Sequence, residues 1–310
     1  MKTFILPGTD LTVPAVVTGV MRIQEKTDAE VRALFDASLA AGIDFFDHAD
    51  IYGSRIHGCE RRFAEALQLS PSQRSEITLQ TKAGIVPDGP YFDFSSAHLI
   101  EAVEGSLTAL DTDYIDILLL HRPDALVEPE EVAKAFDELH AAGKVRAFGV
   151  SNHTPGQIEL LKRYVRQPLV ANQVQLSITH APIIAQGVAM NMAGLEQSIS
   201  RDLGVLDYCR LHDIAVQAWS PFQAGFFNGV FLGNPDFPEL NAVIDRLAVK
   251  YEVPAEAIAV AWITRHPALT QVVLGTTTPH RVAAAAKGAD VELTRPEWYE
   301  LYRAAGYLVP

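Results

Sequence analysis

The residues of this chain that could do chemistry are scattered singly along it. Asp47, Lys82, His121, Ser151 with Asn152, Gln173, Trp219 with Ser220, and Thr276 each fall within, close or follow a short apolar run. Groups so far apart in sequence act together only if the fold returns every run to one face. A carboxylate, an ammonium and an imidazole gathered there could move protons, and the amide, hydroxyl and indole groups could hold a polar, planar ligand. Two other chemistries draw on the same residues. His48, Asp50, His57 and His121 can be read as ligands of a metal-dependent barrel hydrolase, but Asp47-His48-Ala49-Asp50 supplies no His-x-His pair, so no metal is expected. Lys82 can be read as the Schiff-base lysine of a lyase or aldolase. Such an amine must be neutral, and a carboxylate at Asp47 would keep it charged. A third reading is a non-catalytic cofactor-binding sensor, which would bind without turnover.

The elements that must position these groups follow from the apolar pattern. Short runs at Val16–Val20, Ile43–Phe46, Ile77–Thr81, Tyr114–Leu120, Ala147–Val150, Val170–Leu176, Ala215–Ala218 and Gln271–Leu274 predict eight strands. Between them lie one-sided helical patterns. In Pro129–His140, Val132, Ala135, Phe136 and Leu139 share a stripe, Pro129 suits the first helical position, and Gly143 can take the left-handed conformation that ends the helix. Ser96–Leu110 behaves alike, with Leu99, Val103, Leu107 and Leu110 on one side. Apolar strands alternating with amphipathic helices mean a parallel sheet. An open dinucleotide-binding sheet should carry G-x-G-x-x-G after its first strand, and that spacing is absent. The pattern therefore predicts an α/β fold, a (β/α)₈ TIM barrel forming one domain over residues 1–310. Residues 1–15 read as an N-terminal β-hairpin, Phe4–Leu6 against Thr12–Val13, plugging the barrel bottom. The segments 177–200 and 221–238 follow the sixth and seventh strands and read as long loops over the mouth.

Gly42-Ile43-Asp44-Phe45-Phe46-Asp47-His48-Ala49-Asp50-Ile51-Tyr52-Gly53, then Lys82, then Leu118-Leu119-Leu120-His121-Arg122-Pro123-Asp124, then Gly143-Lys144-Val145-Arg146-Ala147-Phe148-Gly149-Val150-Ser151-Asn152 resemble the aldo-keto reductases across nearly the whole chain. The closest form is the bacterial branch with Asp-His-Ala-Asp-Ile-Tyr-Gly. The resemblance implies an NADP(H)-dependent barrel interconverting carbonyls and alcohols, with Asp47, Tyr52, Lys82 and His121 as its catalytic tetrad. Physical chemistry gives each a role. Carbonyl reduction needs a proton on the developing alkoxide, and Tyr52, with a phenol pKa ordinarily near 10, is too weak an acid alone. A Lys82 ammonium would lower that pKa, Asp47 would keep Lys82 charged and placed, and His121 would donate to the substrate oxygen.

Ser151, Asn152 and Gln173 could meet a nicotinamide carboxamide, and Trp219, followed by Ser220, stands where the family places an aromatic stacker. Gly275, Thr276 and Thr278 precede Pro279 at a helix start suited to phosphate, and Arg281 matches the arginine that grips the 2′-phosphate. A lysine many relatives carry there is missing, and Ala284 and Ala285 replace an adenosine-side Glu and Asn, so NADP(H) is expected with NAD(H) as a weaker alternative. Aromatic residues at Tyr91, Phe92, Phe94, Phe222, Phe226, Phe227, Phe231 and Phe237 favour a small apolar or flat carbonyl substrate.

Lys and Arg number 25 against 38 Asp and Glu, and a formal charge of −13 repels nucleic acid and anionic membranes, so neither is expected as a partner. Cys59 and Cys209 build no disulfide framework, Met1–Pro7 lacks a signal-peptide apolar stretch, and no run reaches the length of a membrane span. A cytoplasmic enzyme is expected. No heptad stripe or other pairing signature marks an oligomeric state.

Overall fold

In the computed structural model, which describes residues 1–226 and 228–309, the strands are β1 (Thr3–Ile5), β2 (Thr12–Pro14), β3 (Val16–Gly19), β4 (Phe45–Asp47), β5 (Thr78–Ala83), β6 (Ile85–Val86), β7 (Tyr91–Phe92), β8 (Ile115–Leu120), β9 (Val145–Ser151), β10 (Leu169–Gln175), β11 (Ala215–Trp219) and β12 (Thr270–Leu274). Phe227 lies outside the described residues. The helices are α1 (Asp28–Ala40), α2 (Gly58–Leu67), α3 (Pro71–Ser75), α4 (Ser96–Leu110), α5 (Pro129–Ala141), α6 (Pro155–Lys162), α7 (Pro182–Val188), α8 (Val205–Leu211), α9 (Pro238–Tyr251), α10 (Ala255–Thr264), α11 (Pro279–Ala286) and α12 (Arg295–Ala304).

The eight predicted apolar runs close as a parallel barrel in the order β3-β4-β5-β8-β9-β10-β11-β12, with β12 returning to β3. They close because both faces of each strand are buried. One set of side chains fills the barrel and the other packs under the helices, as Phe46 does against Phe35 and Phe63. β1 and β2 pair antiparallel, and Leu6 and Val13 pack among Phe45, Val170 and Ala215. Those three sit at or next to the starts of their strands, so the hairpin covers the amino-terminal end and the opposite end stays open. Helix ends are well specified: α1, α3, α6 and α12 each begin with a reciprocal Thr/Ser–Glu/Gln capping box, a device worth about 1 kcal/mol per cap. α5 has Pro129 in its first turn and Gly143 at φ 70° just beyond it.

The strands extend past several predicted ends. Asp47, Lys82, Ser151 and Trp219 are therefore held on the sheet itself. The segment 177–200 contains α7 and a 3₁₀ turn at Glu196–Ser198, because Ile183, Ile184 and Ala185 find core to bury against. Trp262 and Trp298 stack at 4.8 Å between α10 and α12, each indole donating to the other's backbone carbonyl.

Candidate active site

The parallel register brings the carboxyl ends of the barrel strands to one rim, where Asp47 ends β4, Lys82 stands one residue before the end of β5, and His121 follows β8. Lys82 is fully buried, and its Nζ lies 2.8 and 2.7 Å from the two Asp47 oxygens, 2.7 Å from the His48 carbonyl oxygen and 3.1 Å from the Tyr52 hydroxyl. Tyr52 reaches this point from a tight bend in which its N–H donates to the Ala49 carbonyl (3.1 Å) and its own carbonyl accepts from Cys59 (2.9 Å). Gly53 makes the bend possible: it sits at φ 110°, and a Cβ there would lie 1.9 Å from Gln24 Oε1. The Tyr52 and His121 rings meet edge to face, 5.9 Å between centroids.

Electrostatics assign the charges. Burial works against the Lys82 ammonium, but the Asp47 carboxylate and the Tyr52 hydroxyl together outweigh it and lift the pKa above its ordinary value. Lys82 is therefore a fixed cation, unsuited to Schiff-base attack. For Tyr52 the Lys82 charge acts in the expected direction and lowers the phenol pKa, but burial outweighs it and leaves the phenol above its ordinary value. The phenol rests protonated, which is what a proton donor needs. Burial pushes His121 well below its ordinary value, so it is a neutral imidazole.

Beneath the rim lies a polar layer that sequence reading missed. Gln80 Nε2 donates to Asp47 Oδ1 at 2.6 Å and Gln173 Nε2 to the same oxygen at 3.0 Å. Both also donate to Gln217 Oε1; Gln217 Nε2 donates to Gln80 and Gln271, and Gln271 Nε2 donates to the Pro14 carbonyl. The available signal was a buried amide inside each apolar run, since such a group requires partners. Gln173 departs from expectation accordingly: its amide nitrogen serves Asp47 from inside the barrel, leaving its oxygen as the group free to accept.

The other residues read as possible metal ligands do not converge. His57 Nδ1 pairs with Glu60 at 2.6 Å, while His48 is buried edge-on to Phe63, 4.8 Å between ring centroids. Among the described residues no three His, Cys, Asp or Glu side chains form a metal-binding group. Glu60 also accepts from Thr81 and Ser106, and burial with the nearby Glu60 charge raises the Asp50 carboxyl to about 7.

The remaining predicted residues split into two groups. Ser151, Asn152, Gln173 and Trp219 form one knot: Ser151 Oγ donates to the Gln173 carbonyl (2.9 Å), Asn152 Nδ2 to Ser151 Oγ (2.8 Å), and the Trp219 indole N–H to Asn152 Oδ1 (3.1 Å). The half-buried indole is thus fixed in orientation, with Ser220 at φ 53° turning the chain away after it. Gly275, Thr276, Thr278 and Arg281 lie around the start of α11, where the Thr278 N–H donates to Thr276 Oγ1 at 3.2 Å. A Cβ built on Gly275 would meet nothing within 4 Å, and Arg281 is exposed with no acidic partner among the described residues. Arg22, which sequence reading missed, projects from the loop after β3 and donates to the Gly275 carbonyl at 3.4 Å. A fixed aromatic face, open backbone at a helix start and two unpaired guanidiniums fit a nicotinamide dinucleotide.

The sequence matches the model of the aldo/keto reductase family over residues 15–305. It is 36% identical to an uncharacterized oxidoreductase, YcsN of Bacillus subtilis, over 97% of each chain. It is equally 36% identical to the 6-dehydroglucose reductase of Agrobacterium fabrum, over 95% of each. The solved structure of a thermostable aldo-keto reductase, Tm1743, with the inhibitor epalrestat matches 98% of this chain and 100% of its own at a TM-score of 0.75; at 22% identity this is a likeness of fold.

Proposed function

The chain belongs to the aldo/keto reductase family, and on that premise we propose that it reduces an aldehyde or ketone to an alcohol with NADP(H), Tyr52 acting as the general acid. The observation that carries this reading is the Lys82 ammonium, bound to both Asp47 oxygens and 3.1 Å from the Tyr52 hydroxyl. The cofactor, when bound, supplies the hydride that the carbonyl carbon receives. Tyr52 gives its proton to the carbonyl oxygen as charge develops there, and the Lys82 ammonium stabilises the phenolate left behind. Asp47 keeps that ammonium charged and placed. His121, neutral at the same rim, is a hydrogen-bond donor for the substrate oxygen, so the substrate is oriented before the proton moves.

Trp219, Ser151, Asn152 and the Gln173 oxygen would hold the nicotinamide end, and Gly275, Thr276, Thr278 and Arg281 the phosphate end. Arg281 supplies the charge that favours NADP(H) over NAD(H). The free buried thiols Cys59 and Cys209 suit a cytoplasmic setting. No described helix is long and apolar enough to cross a membrane.

The test is loss of NADPH absorbance with a panel of aldehydes and ketones, for wild type and Tyr52→Phe. Removing the hydroxyl while keeping the ring should lower kcat by about 10²-fold or more and leave cofactor binding intact. Unchanged turnover in Tyr52→Phe would remove this residue from the chemistry.

A further inference from the structure

Arg122 follows His121 directly and is half-buried at the rim, yet among the described residues it has no acidic partner and no hydrogen bond. Its guanidinium carbon lies 6.0 Å from the centroid of the Trp219 ring. The buried Arg74, by contrast, is paired with Asp116 at 2.8 Å and bonded to three further oxygens. Partial burial disfavours the Arg122 charge, lowering its pKa from the ordinary value. A desolvated guanidinium without a counter-charge is costly unless something else supplies the anion.

That something has room to bind. Arg122 borders a cavity of about 670 Å³ that it shares with Phe92, Asn152, Gln175, His180 and Trp219. Gln175 contributes a second donor there, since its Nε2 is buried without a partner. Arg201 lines the cavity but is paired with Glu196, and the acid that lines it, Asp202, accepts from Gln186 rather than from Arg122. Of the lining groups without partners, Gln175 Nε2 is a donor and Asp202 Oδ2 an acceptor, and Arg122 is the cation with no acidic partner, in a chain whose net charge is −13.

The phosphates of a cofactor do not account for Arg122. Arg281 and Gly275 follow β12, whereas Arg122 follows β8, four strands away around an eight-stranded barrel and so on the opposite side of the mouth. Arg122 follows His121 in sequence and shares its cavity with Asn152 and Trp219, the residues read as holding the nicotinamide end, which is where a substrate would meet the cofactor.

We propose that Arg122 is a carboxylate anchor, so that the preferred substrates are carbonyl compounds bearing a carboxylate group. A planar guanidinium pairs with a carboxylate through two parallel hydrogen bonds, and a partly desolvated site strengthens that pair. The Gln175 amide is a further donor for the same group. This inference rests on the reductase reading for its turnover arm alone.

The experiment compares kcat/KM for benzaldehyde and 4-carboxybenzaldehyde in wild type, Arg122→Met and Arg122→Lys. Wild type should favour the carboxylated aldehyde by about 10-fold or more, and Arg122→Met should lower that ratio by about 10- to 100-fold, with Arg122→Lys between. A ratio measured within one preparation does not depend on the fraction of protein that is folded. Calorimetric titration with benzoate gives a readout without turnover: binding should weaken by a similar factor in Arg122→Met. A wild-type ratio near one, a ratio unchanged by Arg122→Met, or benzoate binding indifferent to it would overturn the anchor. If neither aldehyde is reduced while benzoate binds through Arg122, the reductase reading fails and the anion site stands.

Discussion

Asp47 Oδ1 accepts from Lys82, Gln80 and Gln173 at once. Each donor holds negative charge on the carboxylate and lessens its pull on the Lys82 proton, so more of the ammonium's charge is felt at Tyr52. With Tyr52 as the proposed acid, Gln80 would thus be a positioning residue for a group it does not touch. Replacing it with leucine removes a donor at 2.6 Å and strands Gln217 Oε1 with fewer partners. The expected result is a fall in kcat of about 10-fold, near the value of one hydrogen bond to a charged group, with KM little changed. The limb of the pH–rate profile that reports Tyr52 should move to higher pH, because its phenolate is less stabilised. A variant that merely loosened the barrel would lower the melting temperature and leave that limb in place.

At the scale of elements, the site is assembled by strand ends and by two cations flanking one turn. Arg281 opens α11, and Arg22 reaches the same turn from β3, the barrel neighbour of β12. If Arg281 meets the 2′-phosphate, Arg281→Ala should weaken NADPH binding by about 10- to 100-fold and NADH binding little. If Arg22, beside the Gly275 carbonyl, meets the diphosphate that both cofactors share, Arg22→Ala should weaken both alike. Dissociation constants for the two cofactors at one fixed salt concentration decide it, since such pairs are screened. Equal loss of both in Arg281→Ala would reassign the discriminator. The strands were legible because a parallel strand buried on both faces is a largely apolar run, as Ile115–Leu120 is apart from Asp116. The groups at their ends were legible as departures from that run. Gln80 and Gln217 were not, since a glutamine reads alike whether it faces a pocket or a packed interior, and these two partners are 137 positions apart. The Pro182 start of α7 was present in the sequence, but seven residues give too short a stripe to separate helix from loop. The sign of the Tyr52 shift depends on burial, which spacing alone does not reveal.

Taken whole, the barrel carries a continuous line of hydrogen bonds from the Pro14 carbonyl at its plugged end through Gln271, Gln217 and Gln80 to Asp47 at its open end. Around that axis the fold buries groups that would rather titrate, and they set its response to acid. Burial holds His48 and His153 at about 4, against an ordinary 6.5, so between those values the unfolded chain binds more protons and stability falls as pH falls. Asp50, raised by burial to about 7 from 3.8, acts the other way: here the folded chain binds more protons, and stability falls as pH rises through that window. Between pH 7 and pH 5 each of these two histidines should cost about 2 kcal/mol at most, and Asp50 should return about 2 kcal/mol. Burial also lowers His121, His180 and His266, which add to the histidine side. Wild type should therefore lose unfolding free energy over this interval, measured by urea denaturation at constant salt. Asp50→Asn removes the offset and should steepen the loss by about 2 kcal/mol. His48→Leu should lessen it by about 2 kcal/mol, and at neutral pH it strands no partner, because both ring nitrogens of His48 are buried without one. Parallel curves for wild type, Asp50→Asn and His48→Leu would mean that neither group is desolvated in the folded protein, and that its acid sensitivity arises in surface carboxylates instead.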